Sequence, residues 1–217
     1  TFLGVTIYSI VALIFNCVLF YGEEFSNLLP ANQLMLIFND SKLTTIFVML
    51  LPLIIAIPFA DTYFTERQSH TLSAIVSRGN SIKNYYFSKI TVVFLSAILI
   101  VLIPLLINFA LTLIAFPTET IRSVGGHSTA GNYIFEKSMG KYILFFNLFL
   151  KHPYIYNLLF CFMISIFSGF GAVLTYEISF WIKRTRILVI GVFFIISELA
   201  MYFSEFIVNF FGFDIYY

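Results

Sequence analysis

One carboxylate in this chain stands where a charge is costly. Glu198 lies in RILVIGVFFIISELAMYF, twelve residues after Arg186. At about 1.5 Å per residue that is roughly 18 Å into a hydrocarbon core about 30 Å thick. A charge at such depth costs about 2.5–3.5 kcal/mol on insertion scales, so Glu198 is expected to be protonated, paired or facing water. Glu205, seven residues on, shares its helical face. Two readings stand level: a polar contact in a translocation path or gate, and a helix that breaks near Ser197 and leaves Glu198 at a wet turn. Catalysis has no comparable support. The sequence holds no HExxH, no GxSxG, no paired intramembrane aspartates and no P-loop, and His70, His127 and His152 are widely spaced in loops. Cys17 and Cys161 each sit inside an apolar run. They read as packing thiols, joined in a disulfide only if their helices touch. No ligand spacing suggests a metal, and the chain is read as not an enzyme.

The elements that must position these residues follow from composition. Of 217 residues, 60% are hydrophobic and 11% charged, against about 25% charged in a soluble domain. The solvent is therefore largely lipid. A net charge of +1 gives no case for nucleic-acid binding. Five runs, about 1–21, 43–60, 90–116, 154–180 and 187–204, reach spanning length. They are too long and too continuously apolar for barrel strands, which alternate with period two. The fold class is all-α: a polytopic helical membrane protein forming a single transmembrane domain over 1–217. The first run lacks a basic leader and a small-residue cleavage site, so it reads as a membrane helix. The chain opens on Thr1 and ends within NFFGFDIYY, and both termini read as incomplete.

Orientation rests on Lys and Arg in the short loops. The polar island Asp61–Lys89 carries Arg67, Arg78, Lys83 and Lys89 against Asp61 and Glu66, and the turn WIKRTR at 181–186 adds three basic residues. Both are expected on the cytoplasmic side, with the N-terminus. Segments 22–42 and 117–153 then lie outside. The second contains the flexible GGHSTAGN, and its later part, YIFEKSMGKYILFFNLFLKHP, suits an amphipathic surface helix ahead of Pro153.

Within the runs, Pro52, Pro58 and Pro104 are expected to kink or locally unwind their helices. Ser165, Ser168, Gly169 and Ala172 form two small-xxx-small pairs, suited to helix packing in one subunit or to a dimer seam. Glu177, one turn before Trp181, is expected to snorkel to the inner interface or pair locally. Trp181 and Tyr176 are assigned to the aromatic belt. In the island, Leu72, Ile75 and Val76 share a face, which predicts a short helix on the membrane surface. A break at Gly79-Asn80 and a second helix entering the bilayer at Lys89 follow. At 29 residues the island is long for an idle connection, and a docking surface is the better reading.

The island resembles the segment after the second span of bacterial type-2 (ABC-2-like) ABC exporter permeases: a Glu, a Gly-Thr-Leu, a basic residue, then Lys at the third span. The matching residues are Glu66, Thr71-Leu72, Arg78 and Lys89, with His70 in place of the usual glycine and Val76 where proline is common. Residues 144–186 resemble the fourth-span region of small Gram-positive permeases. Together the two cover about a third of the chain. The resemblance implies the type-2 ABC exporter permease fold in a bacterial plasma membrane. It also implies six spans, with a re-entrant hairpin starting in 205–217. It implies pairing with a second permease copy or a related permease, and an ABC ATPase subunit that holds ATP and Mg²⁺.

The expected function is therefore export of an amphipathic substrate (peptide, drug or lipid-like), coupled to the ATPase through 61–89. Glu66, Arg67, Thr71, Leu72, Ile75 and Arg78 are the candidate contacts, and Glu198 a candidate of the translocation path. The rivals are a proton- or ion-coupled secondary transporter using Glu198 and Glu205, and a non-transporting membrane sensor or assembly protein.

Overall fold

The computed structural model describes residues 1–24, 28–38, 41–60, 82–118, 144–182 and 185–210. The candidate coupling residues Glu66, Arg67, Thr71, Leu72, Ile75 and Arg78 lie outside the described residues. So do GGHSTAGN, residues 211–217 and the side chain of Glu205. Among the described residues the elements are helices: α1 (Phe2–Leu19), α2 (Ala31–Leu34), α3 (Lys42–Phe59), α4 (Ile82–Ala115), α5 (Phe146–Lys151), α6 (Pro153–Trp181) and α7 (Arg186–Phe210). Stretches within α1, α3, α4 and α6 are long and apolar enough to cross a membrane. The fifth apolar run is the 25-residue α7.

Each long helix buries a narrow stripe and leaves the rest to lipid. On α1 the stripe is Val5, Ser9, Ala12 and Asn16, while Leu3, Ile7, Ile14 and Val18 are exposed. On α4 it runs Val93, Ala97, Val101, Leu105, Asn108 and Thr112. On α6 it runs Asn157, Cys161, Ser165, Ser168, Ala172 and Ser179. Steps of three and four keep such residues on one face. The α6 stripe is built of small and polar residues, which lets neighbouring backbones approach closely.

Hydroxyls on these stripes need partners, because lipid offers none. Thr112, Ser168 and Thr175 each donate to the carbonyl four residues back, at 2.7, 2.8 and 2.9 Å. At the start of α3, Ser41 accepts from the Thr44 backbone N–H, as an N-cap residue does. Pro52 and Pro58 lie inside α3 and Pro104 inside α4, and neither helix is broken into separate elements. Proline removes one intrahelical hydrogen bond, and packing around a buried helix compensates. Pro117 follows the end of α4, where proline disfavours helix at the preceding residue.

α4 starts after the position expected for the break and before Lys89, where a second helix is expected to enter the bilayer. It begins at Ile82, eight residues before the apolar run, and continues for 34 residues. Polar residues do not stop a helix, and the turn Lys83–Lys89 is held by α4's own contacts with α6, described below. The expected amphipathic helix before Pro153 is represented among the described residues by the short α5. Phe145, in the left-handed region at φ 56°, precedes α5.

The chain divides into two compact units. The first contains residues 1–5, 46–102 and 163–202. Its core joins α3, α4 and α6 through Ile55, Phe59, Val93, Ala97, Ala172 and Tyr176. The second contains 6–45, 103–162 and 203–217, with a core around Ala31, Leu34 and Phe116.

In the first unit, α6 meets α4 at Gly169. A Cβ there would lie 2.8 Å from two ring atoms of Phe94 and 3.1 Å from Ile98. The Phe94 ring is also held at 5.1 Å from that of Phe170. Gly169→Ala is therefore expected to destabilise by about 1–3 kcal/mol through overpacking. Gly191→Ala, with nothing within 4 Å of the added methyl, is expected to be neutral or to stabilise by about 0.5–1 kcal/mol through helix propensity. Thermal unfolding of the two variants in detergent checks both signs.

Candidate functional site

Of the island, residues 82–89 are described. Its last eight residues form the first two turns of α4, with Lys83, Asn84 and Phe87 exposed. Tyr86 turns inward and donates its hydroxyl hydrogen bond to Glu177 Oε1 on α6, 91 residues away. The Tyr86 ring lies 6.4 Å from that of Tyr176 and 5.9 Å from that of Phe180, and those two are 5.0 Å apart. A carboxylate and a phenol thus close the edge of an aromatic cluster. Glu177 is not paired locally: its partner comes from another helix. Tyr176 is a core residue at 1% exposure, not a belt residue, whereas Trp181 at 87% does face outward. The difference follows from phase. Tyr176 lies on the buried α6 stripe with Ala172 and Ser179, and Trp181 lies off it.

The small residues Ser165, Ser168, Gly169 and Ala172 are buried within the single chain. The face they form is occupied at Gly169 by α4 side chains.

Glu198 sits within an unbroken α7. Ser197 donates to the Phe193 carbonyl at 2.8 Å, as in a continuous helix, so the reading of a break near Ser197 is corrected. The Glu198 Oε1 atom is shielded from solvent and has no hydrogen-bond partner among the described residues. Cys17 and Cys161 are both thiols, not a disulfide. Among the described residues no cluster of His, Cys, Asp or Glu is fit to hold a metal ion.

Sequence reasoning passed over three buried asparagines, all in the second unit. Asn16 of α1 donates to Leu34 O at 3.0 Å. Asn108 of α4 accepts from the Leu36 N–H at 3.0 Å and donates to Ser9 O at 3.0 Å. Asn157 of α6 donates to Asn32 O at 2.7 Å and contacts Met35 Sδ at 3.1 Å. Each reaches the segment 28–38, which connects α1 to α3 and carries the four-residue α2. Ala31, Leu34, Met35 and Leu36 in that segment are buried. Further holds come from Pro117 O, which accepts from Ala31 N–H at 3.0 Å, and from Thr44, which donates to Leu36 O at 2.8 Å. Phe38 packs on the rings of Tyr156 and Phe160. The signal for this in the sequence is an amide in each of three otherwise apolar runs, a residue type that pairs across helices in lipid.

Comparison with protein-family models matches residues 2–128, more than half of the chain, to the family described as ABC-2 family transporter protein. The matched stretch contains α1 to α4, the whole island and the segment 28–38. No curated protein and no solved structure matches the chain.

Tyr86→Phe removes the hydroxyl and leaves Glu177 without its donor. A loss of about 1–2 kcal/mol is expected, at the upper end of the net worth of a hydrogen bond because the acceptor is ionisable. Thermal unfolding of the purified variant against Glu177→Gln and the double variant measures the pair. Coupling near zero between the two substitutions would separate these residues energetically.

Proposed function

Because this chain belongs to the ABC-2 transporter family, and so is a multi-pass membrane component of an ABC transporter and not itself the catalytic subunit, we propose that it is an exporter permease driven through the island 61–89. The observation that carries the reading is the start of α4. The helix begins inside the basic island and stays helical for 34 residues, a length of roughly 51 Å at 1.5 Å per residue. A hydrocarbon core is about 30 Å thick. Several turns of α4 thus extend past the core, continuous with the membrane helix. A push on the island reaches Val93, Ala97 and Val101 along one rigid element. The Tyr86–Glu177 pair carries the same displacement to α6.

In this reading family membership supplies an ABC ATPase partner, which holds ATP and Mg²⁺. Closure of the ATPases moves residues 61–81, with Glu66, Arg67, Thr71, Leu72, Ile75 and Arg78 in contact. Pro52, Pro58 and Pro104 supply the compliant points of the lever. The island, the WIKRTR turn and the N-terminus lie on the cytoplasmic face of a bacterial plasma membrane. The substrate is amphipathic (a peptide, drug or lipid-like molecule) and leaves the cell past broad aromatic surfaces, with Glu198 as a polar contact on that path. A second copy or a related permease completes the transporter. The buried stripe Ser165–Ala172 is used up inside the chain, so the seam with that second permease uses another surface.

Arg78→Glu reverses a charge in the contact segment. Truncating one partner of a buried, hydrogen-bonded charge pair at an interface costs about 2–5 kcal/mol. The expected result is at least a tenfold fall either in ATPase subunit co-purified with the permease or in export per ATP hydrolysed. Normal assembly and transport by that variant would sink the coupling assignment.

A further inference from the structure

We propose that residues 28–38 are a releasable strap that closes the exit end of the bundle and must unlatch for substrate to leave. The position of that end on the outer side rests on the orientation given above; the strap itself does not. Three observations converge. First, the segment is buried yet irregular: α2 has four residues, flanked by Pro30 and Met35 in extended conformation, without a side-chain cap. Irregular backbone at such depth persists only where protein groups satisfy it.

Second, the groups that hold it belong to four different helices. Asn16, Thr44, Asn108 and Asn157 come from α1, α3, α4 and α6. A strap held by one helix would ride with it. A strap held by four is strained whenever any of them shifts against the others. α4, which carries Asn108 and its bonds to Leu36 and Ser9, is also the helix that starts in the coupling island.

Third, the strap has a space beneath it. Met35, Leu36, Ile37 and Phe38 roof a cavity of about 10 Å³ whose floor is Leu105, Asn108, Phe109 and Cys161. That is about the size of one water. Unlatching exposes the amide of Asn108 and the buried thiol of Cys161, 4% exposed in the closed form, and widens the narrow space into a polar opening.

Cys161 provides the readout. In the full transporter with its ATPase subunit, in intact cells, Cys17→Ser leaves Cys161 as the chain's thiol. A small charged, membrane-impermeant methanethiosulfonate is added from outside. Labelling is expected to be slow, and Asn108→Ala with Asn157→Ala should speed it about tenfold, the effect of removing one or two net hydrogen bonds. Unchanged labelling in a double variant that unfolds at the same temperature as its parent would overturn the strap. Faster labelling only from the cytoplasmic side, in inverted vesicles, would keep the strap and overturn the orientation.

Should the double variant not fold, the converse substitution decides. Asn32→Cys and Asn157→Cys, in a chain with Cys17→Ser and Cys161→Ser, are bridged with a reducible bifunctional thiol reagent. Export is expected to fall more than tenfold when bridged, with assembly intact, and to return on reduction. Full export by the bridged transporter would overturn the proposal.

Discussion

Hydrocarbon accepts no hydrogen bonds, and this constraint organises the described structure. Among the described residues the buried side-chain polar atoms find their partners in the protein, with Glu198 Oε1 the exception. Serine and threonine on the long helices solve this locally by donating back to their own helix, as Ser168 and Thr175 do. Asparagine cannot be satisfied that way, because its amide presents both donors and acceptors. It reaches across: Asn16, Asn108 and Asn157 each bond the backbone of segment 28–38, and Asn108 bonds the Ser9 carbonyl of α1 as well. The amides and the irregular segment satisfy each other, and neither is tolerable alone at that depth.

The same requirement accounts for the first unit. Glu177 sits within α6 and takes its donor from Tyr86, a residue in a turn of α4 that composition assigns to a polar loop. The aromatic rings of Tyr176 and Phe180 screen the pair. Below it the contact between the helices is dry and close, with a glycine on α6 receiving the Phe94 ring of α4. Close approach and cross-bridging together make α4 and α6 a rigid pair in this unit.

The sequence carried the existence of the long helices well, because twenty apolar residues without charge have few alternatives in lipid. It was less informative about what holds them. Tyr86, in the first turns of α4, bonds Glu177 on α6, and a contact 91 residues away leaves no local trace. Tyr176 and Trp181 look alike as aromatic residues near a basic turn, yet one is in the core and the other outside it. Helical phase separates them, and the phase is set by the small-residue stripe on α6. The family resemblance carried by Glu66, Thr71-Leu72 and Arg78 agrees with a match over residues 2–128. The three asparagines were legible as residues and not as a set, since only the fold brings Asn16, Asn108 and Asn157 to one segment.

The order of synthesis gives that segment a further consequence. Its partners Asn108 and Asn157 lie 72 and 125 positions further along the chain from the groups they bind, Leu36 and Asn32. Until α4 and then α6 have been inserted, Ala31 N–H, Asn32 O and Leu36 N–H lack their mates, which favours keeping this backbone in water. Burial of the segment is therefore a late event in biogenesis. It reports that all of the helices around it have arrived in register, so a permease missing α6 keeps an exposed, protease-accessible loop between its first two membrane helices.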